Sequence, residues 1–131
     1  MAPRVLHYKN NERIITSGEV EKRMYIIVEG KVEITLSDGS QKIKVATLGK
    51  GDFFGEISIF SNRPRSANVS ALGDVELAYI DDIQQLKAFL LKNPGFAAKM
   101  VHVLTERLAK TNELLLGKVS VINRLQATRD I

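Results

Sequence analysis

The chain has 131 residues, 44% of them hydrophobic and 26% charged, and its 19 Lys and Arg against 15 Asp and Glu leave a net charge of +4. That balance describes one folded domain large enough to bury its own core, not a disordered chain. The absence of Cys excludes disulfides, thiolate metal sites and a cysteine nucleophile, and no apolar run approaches the ~18 residues that span a bilayer.

Met1 to Tyr8 turns polar at once, so no secretory segment and no membrane association are expected. Together with the missing Cys this points to a cytoplasmic protein. Val5–Tyr8 and Arg13–Ile15 read as short strands. Met24–Glu29 and Lys31–Leu36 flank Gly30, which predicts a tight turn on a permissive backbone. Val32, Ile34 and Leu36 alternate with Glu33 and Thr35, the period of a half-buried strand. Ser37-Asp38-Gly39-Ser40 predicts a hairpin turn, and Gln41–Leu48 alternates again beyond it. Gly49-Lys50-Gly51-Asp52 is a further turn. Arg65–Ala71 and Val75–Asp81 form a last pair around Leu72-Gly73-Asp74. Short strands at regular spacing predict an antiparallel sandwich or barrel over residues 1–81.

Residues 82–131 carry a different texture. Asp81 or Asp82 is a candidate N-cap for a short helix through Leu91. Asn93-Pro94 predicts a restart, with Asn93 capping and Pro94 at the first helical position. A helix over 94–128 would be ~50 Å long at 1.5 Å per residue. Gly117 weakens it by about 1 kcal/mol relative to Ala, which allows a break there. Leu104, Leu108, Thr111, Leu115, Lys118, Ile122 and Leu125 recur at steps of four and three, a heptad seam with two polar members. An overhanging helix with such a seam predicts a homodimer; the alternative is a helix folded back with the seam as its core face. Most of the basic surplus lies in this half, where residues 94–131 hold six Lys and Arg against three Asp and Glu. A surplus this diffuse serves solubility, and no nucleic-acid binding by this chain alone is expected.

The chemistry concentrates in one segment, Phe54–Ala67, reading F-G-E-I-S-I-F-S-N-R-P-R-S-A. Gly55 lets the chain turn and leaves backbone room for a ligand. Glu56 to Phe60 can form one helical turn whose free N–H groups attract an anion. Arg65 can fork two hydrogen bonds onto a phosphate, and Ser66 adds a hydroxyl. Glu56 would repel a phosphate, but it suits a ligand that also presents a hydroxyl donor. An anion cradle with one carboxylate acceptor describes a sugar phosphate. His7 and His102 stand alone, without carboxylates at ligand spacing, so no metal is expected. Arg63 reads as a solvated charge, and Tyr25, Tyr79 and the five Phe are expected in the core.

Phe54–Ala67 resembles the phosphate-binding cassette of cyclic nucleotide-binding domains, as found in catabolite activator-type regulators and protein kinase A regulatory subunits. Gly18-Glu19, Tyr25–Gly30 and Leu48–Asp52 resemble the glycine-marked turns of the same family. The resemblance implies a mainly β fold, an antiparallel jelly-roll β-barrel followed by a short and a long C-terminal α-helix, in a single domain of residues 1–131. It implies a cyclic nucleotide ligand, cyclic AMP before cyclic GMP, and no further cofactor. Glu56 would accept the ribose 2′-OH and Arg65 would pair with the cyclic phosphate. Backbone N–H groups around Gly55–Ile57 and Ser66–Ala67 would complete the cradle, and Phe54 and Ser58 of the same cassette are expected among the ligand-binding residues. Ser66 would serve either the phosphate or the purine. In the long helix, Thr111-Asn112 lies where catabolite activator-type proteins read the adenine amino group, with Arg107 one turn earlier.

Three classes of function compete. A non-catalytic receptor would relay ligand binding through the long helix to a downstream protein. A phosphodiesterase would need an activated water, usually on a metal, and the segment offers no metal set. A scaffold with the same fold would answer to another ligand or to none, but Glu56 and Arg65 are both present. The chain reaches Ile131 without the several tens of residues of a helix-turn-helix module. The expectation is therefore a receptor acting through a partner, or the sensor part of a longer transcription regulator.

Overall fold

Alternating apolar residues between glycine-marked turns fold into a six-stranded antiparallel sheet followed by helices. The computed structural model describes residues 4–129, with side chains for all of these except Asp38 and 118–129. The strands are β1 (Arg4–Tyr8), β2 (Arg13–Ile15), β3 (Met24–Asp38), β4 (Gln41–Leu48), β5 (Phe53–Phe54) and β6 (Asn68–Ile80). The helices are α1 (Ile57–Phe60), between β5 and β6, then α2 (Ile83–Lys92) and α3 (Pro94–Arg129). The strand order is β1-β6-β3-β4, with β2 also on β6 and β5 also on β3. Nothing pairs β1 with β4 among the described residues, so the roll is an open sheet, not a closed barrel.

The predicted turn at Gly30 is a bend inside one 15-residue strand, and Leu72-Gly73-Asp74 likewise lies inside the 13-residue β6. The β3–β6 register shifts between Ile27 and Glu29 and again between Glu29 and Lys31. Gly30 takes φ +93°, and a Cβ there would collide with the Asp74 carbonyl oxygen. Glycine therefore bends β3 by letting β6 approach, without ending the strand. The Asp38-Gly39 hairpin between β3 and β4 forms as its sequence predicts, with Gly39 at φ +63°. β6 begins at Asn68, not Arg65, because the Arg65 peptide is bonded to an earlier loop.

The chain forms two compact units, Met1–Lys87 and Ala88–Ile131. The first holds a core that includes Ile15, Tyr25, Ile27, Val32, Val69 and Leu77, with Tyr25 stacked on Phe54 at 5.1 Å. Phe60 departs from the expected aromatic core and stands exposed. Asp82 caps α2, its carboxylate accepting the Gln85 N–H at 2.7 Å. In the second unit the Asn93 carbonyl accepts the Ala97 N–H to start α3, and its Nδ2 donates back to the Phe89 carbonyl at 2.9 Å. α3 runs unbroken through Gly117. Among the described residues, no helix is long and apolar enough to cross a membrane.

Candidate functional site

The cassette starts from the core. Phe54 is buried against Tyr25, which anchors the segment but takes this ring out of reach of solvent. Gly55 follows at φ +80°, where a Cβ would stand 2.9 Å from Arg65 Nη1 and 3.0 Å from the Arg23 carbonyl oxygen. Only glycine lets the guanidinium come this close. Glu56 then opens α1, with the Ser58 and Ile59 N–H groups closing onto the Gly55 and Glu56 carbonyls. Ile57 and Phe60 face outward and are exposed, whereas Ser58 and Ile59 are buried. The Ser58 hydroxyl turns into the protein, against the Gly55 carbonyl at 2.8 Å and the Arg23 peptide.

Arg65 is brought back to this turn by the return loop. Its main chain is clamped by the loop before β3: Gly18 N–H donates to the Arg65 carbonyl, and Arg65 N–H donates to the Glu19 carbonyl, each at 2.8 Å. Its guanidinium donates from Nη1 to the Gly55 carbonyl at 3.0 Å and from Nη2 to the Arg23 carbonyl at 2.6 Å. Glu56 is 6% and Arg65 8% exposed, so neither belongs to a solvated surface pair. Burial pulls the guanidinium below its ordinary pKa, with Glu21, Tyr25 and Glu56 acting against that shift. Arg65 Nε is buried without a hydrogen-bond partner among the described residues. Ser66 is exposed and Ala67 half-buried as the chain enters β6.

Several supporting residues carry no sequence motif. Arg23 matters through its peptide group, while its side chain lies over the Tyr79 ring at 4.1 Å. Asn68 joins three segments: its Oδ1 accepts from Ser17 N–H and Arg13 Nη1, each at 2.8 Å, and its Nδ2 donates to Ser37 Oγ at 3.3 Å. The β3–β6 register ends with Asn68 opposite Thr35, one residue short of Leu36, and Leu36 pairs with Ile43. Leu36, Ile43 and nearby Val45 are exposed apolar residues. Their alternation reads as an ordinary strand pattern, so sequence alone marks them only as core candidates.

Arg107, Thr111 and Asn112 lie in the second unit, on consecutive turns of α3, and all three are exposed. Thr111 Oγ1 donates to the Arg107 carbonyl at 3.0 Å. Leu104, Leu108 and Leu115 of the seam are exposed too, whereas Lys118, Ile122 and Leu125 lie outside the residues with described side chains. No group of His, Cys, Asp and Glu among the described residues could hold a metal ion.

Comparison with known proteins finds a family and several relatives. The family model described as "Cyclic nucleotide-binding domain" matches residues 5–93. A cAMP-dependent protein kinase type II regulatory subunit of Drosophila melanogaster is 41% identical over 83 residues, which are 63% of this chain and 21% of that protein. A CRP-like cAMP-activated global transcriptional regulator of Mycobacterium tuberculosis is 30% identical over 110 residues, 82% of this chain and 48% of that protein. The chain thus spans less than half the length of either relative. The catabolite activator protein of Thermus thermophilus superposes with a TM-score of 0.74 at 27% identity, covering 86% of this chain and 53% of that one.

Proposed function

The chain belongs to the cyclic nucleotide-binding domain family, and on that premise we propose that it is a non-catalytic receptor for a cyclic mononucleotide, cyclic AMP before cyclic GMP. The observation that carries this reading is Arg65 Nε, a buried donor on a cation, with no partner among the described residues. Such a donor costs about 1–3 kcal/mol if left unmet, and an anionic acceptor satisfies it. The guanidinium has five N–H groups and two are engaged by carbonyls, so an edge remains for a phosphate.

In this reading Arg65 binds the cyclic phosphate and Glu56 accepts the ribose 2′-OH. Main-chain N–H groups at Gly55–Ile57 and Ser66–Ala67 complete the cradle. Ser66, which is exposed, serves the phosphate or the purine. Leu36, Ile43 and Val45 offer an apolar wall. Thr111 and Asn112 read the base, with Arg107 one turn away. Binding biases the position of α3, whose exposed leucine seam pairs with a second copy, and a downstream protein responds to that helix. The relatives named for cAMP, a kinase regulatory subunit and a transcriptional regulator, favour cyclic AMP and a regulatory role.

Calorimetric titration of nucleotide-free protein with cyclic AMP and then cyclic GMP tests the reading. Micromolar or tighter binding with the nucleotide recovered intact is expected. Arg65→Ala is expected to weaken it by more than about 2 kcal/mol. Absence of binding to both nucleotides would overturn the receptor reading.

A further inference from the structure

Ser58 is the second residue of α1 and is 4% exposed, a site where packing alone is satisfied by an apolar side chain. Its hydroxyl proton lies within reach of two carbonyl oxygens, Gly55 at 2.8 Å and Arg23 at 3.1 Å. Its oxygen accepts the Arg23 N–H at 3.2 Å. The same two carbonyls receive the Arg65 guanidinium, Gly55 from Nη1 and Arg23 from Nη2. Ser58 and Arg65 therefore grip one pair of peptide groups, one from the cassette and one from the loop before β3. A planar guanidinium held at both Nη atoms has its Nε edge aimed by where those two acceptors stand.

We propose that Ser58 is a positioning residue for Arg65. Its hydroxyl ties the Gly55 carbonyl to the Arg23 peptide, donating its one proton to a carbonyl and accepting the Arg23 N–H, and through these groups directs the Nε edge into the cradle, without touching the ligand. The hydroxyl has one proton and two acceptor sites, and the proton and one of those sites are engaged inside the protein. This role rests on the receptor reading for its effect on affinity, but its geometric part stands in the free protein.

The test is a double-mutant cycle in the full chain, read by titration with cyclic AMP. The Arg65→Lys background keeps a charge for the phosphate but loses the fork that holds both carbonyls. Ser58→Ala is expected to weaken binding roughly three- to tenfold in the wild-type background. It is expected to add almost nothing in the Arg65→Lys background, because the effect passes through Arg65. An equal loss in both backgrounds marks a direct contact or a general loosening, and either overturns the proposal; so does no loss in either. A second measurement needs no ligand. The Arg65 Nε–H resonance in nitrogen-15 spectra of the free protein is expected to shift or broaden in Ser58→Ala, while amides of β1 and β4 stay in place. An unmoved Nε–H resonance would overturn the positioning role. Failure of the wild-type chain to bind cyclic AMP or cyclic GMP would instead sink the receptor reading, and the resonance would still decide Ser58.

Discussion

The guanidinium of Arg65, a residue 8% exposed, has two N–H groups on carbonyls and its Nε–H unmet among the described residues, and it is the most informative group there. Its neighbour Glu56 is also buried, and a carboxylate beside an anion site is costly unless it accepts a hydroxyl. From residue types alone, Gly55, Glu56, Arg65 and Ser66 read as a sugar-phosphate cradle, and the fold then brings the Arg65 guanidinium onto the Gly55 turn. What holds Arg65 was not legible, since its acceptors are the main-chain carbonyls of Gly55 and Arg23, and every residue type carries a carbonyl. For the same reason Phe54 and Ser58, equal members of the motif in the sequence, differ in the fold: one stacks in the core and the other bonds inward. Base selection belongs to this scale as well. Thr111→Ala is expected to lower the preference for cyclic AMP over cyclic GMP by roughly three- to tenfold, the size of one lost hydrogen bond. Competition titrations measure it, and an unaltered ratio would mean that the base is read elsewhere.

At the scale of elements, β3 and β6 matter most, because each passes through the whole roll as one strand where two are predicted. Glycine followed by renewed alternation reads as a turn, and only the neighbouring strand shows that Gly30 bends the chain without reversing it. Gly30→Ala combines a strained φ with a collision against the Asp74 carbonyl, so a loss of about 2 kcal/mol or more is expected. Gly39→Ala shares the positive φ but meets nothing within 4 Å, so about 1 kcal/mol is expected. Urea unfolding of the two variants side by side separates the steric contribution from the conformational one. α3 presents the other case. Leu108 and Leu115 of the seam are 61% and 55% exposed. The purified chain is expected to sediment as a dimer at ~100 μM, and Leu108→Lys with Leu115→Lys as a monomer. A wild-type monomer at that concentration would contradict pairing through α3.

On the scale of the whole molecule, the core cluster lies entirely within the unit Met1–Lys87, which also carries the cassette. Ligand binding to the native state alone therefore stabilises that unit. Cyclic AMP at 100 times its Kd is expected to add about 2.7 kcal/mol to unfolding, seen as a rise in the urea midpoint. A midpoint that does not move with cyclic AMP or cyclic GMP would contradict binding to the folded state. Alternation, turn residues and side-chain chemistry are local properties, so the antiparallel texture, the hairpin at Asp38-Gly39 and the two C-terminal helices could be read from residues alone, and Phe54–Ala67 stood out by its residue types. That the sheet stays open, that β3 and β6 run on through their glycines, and that Arg65 hangs on two carbonyls could be seen only in the fold. Each of these depends on which distant backbone groups meet, and a peptide group has no signature in the sequence until another segment is laid against it.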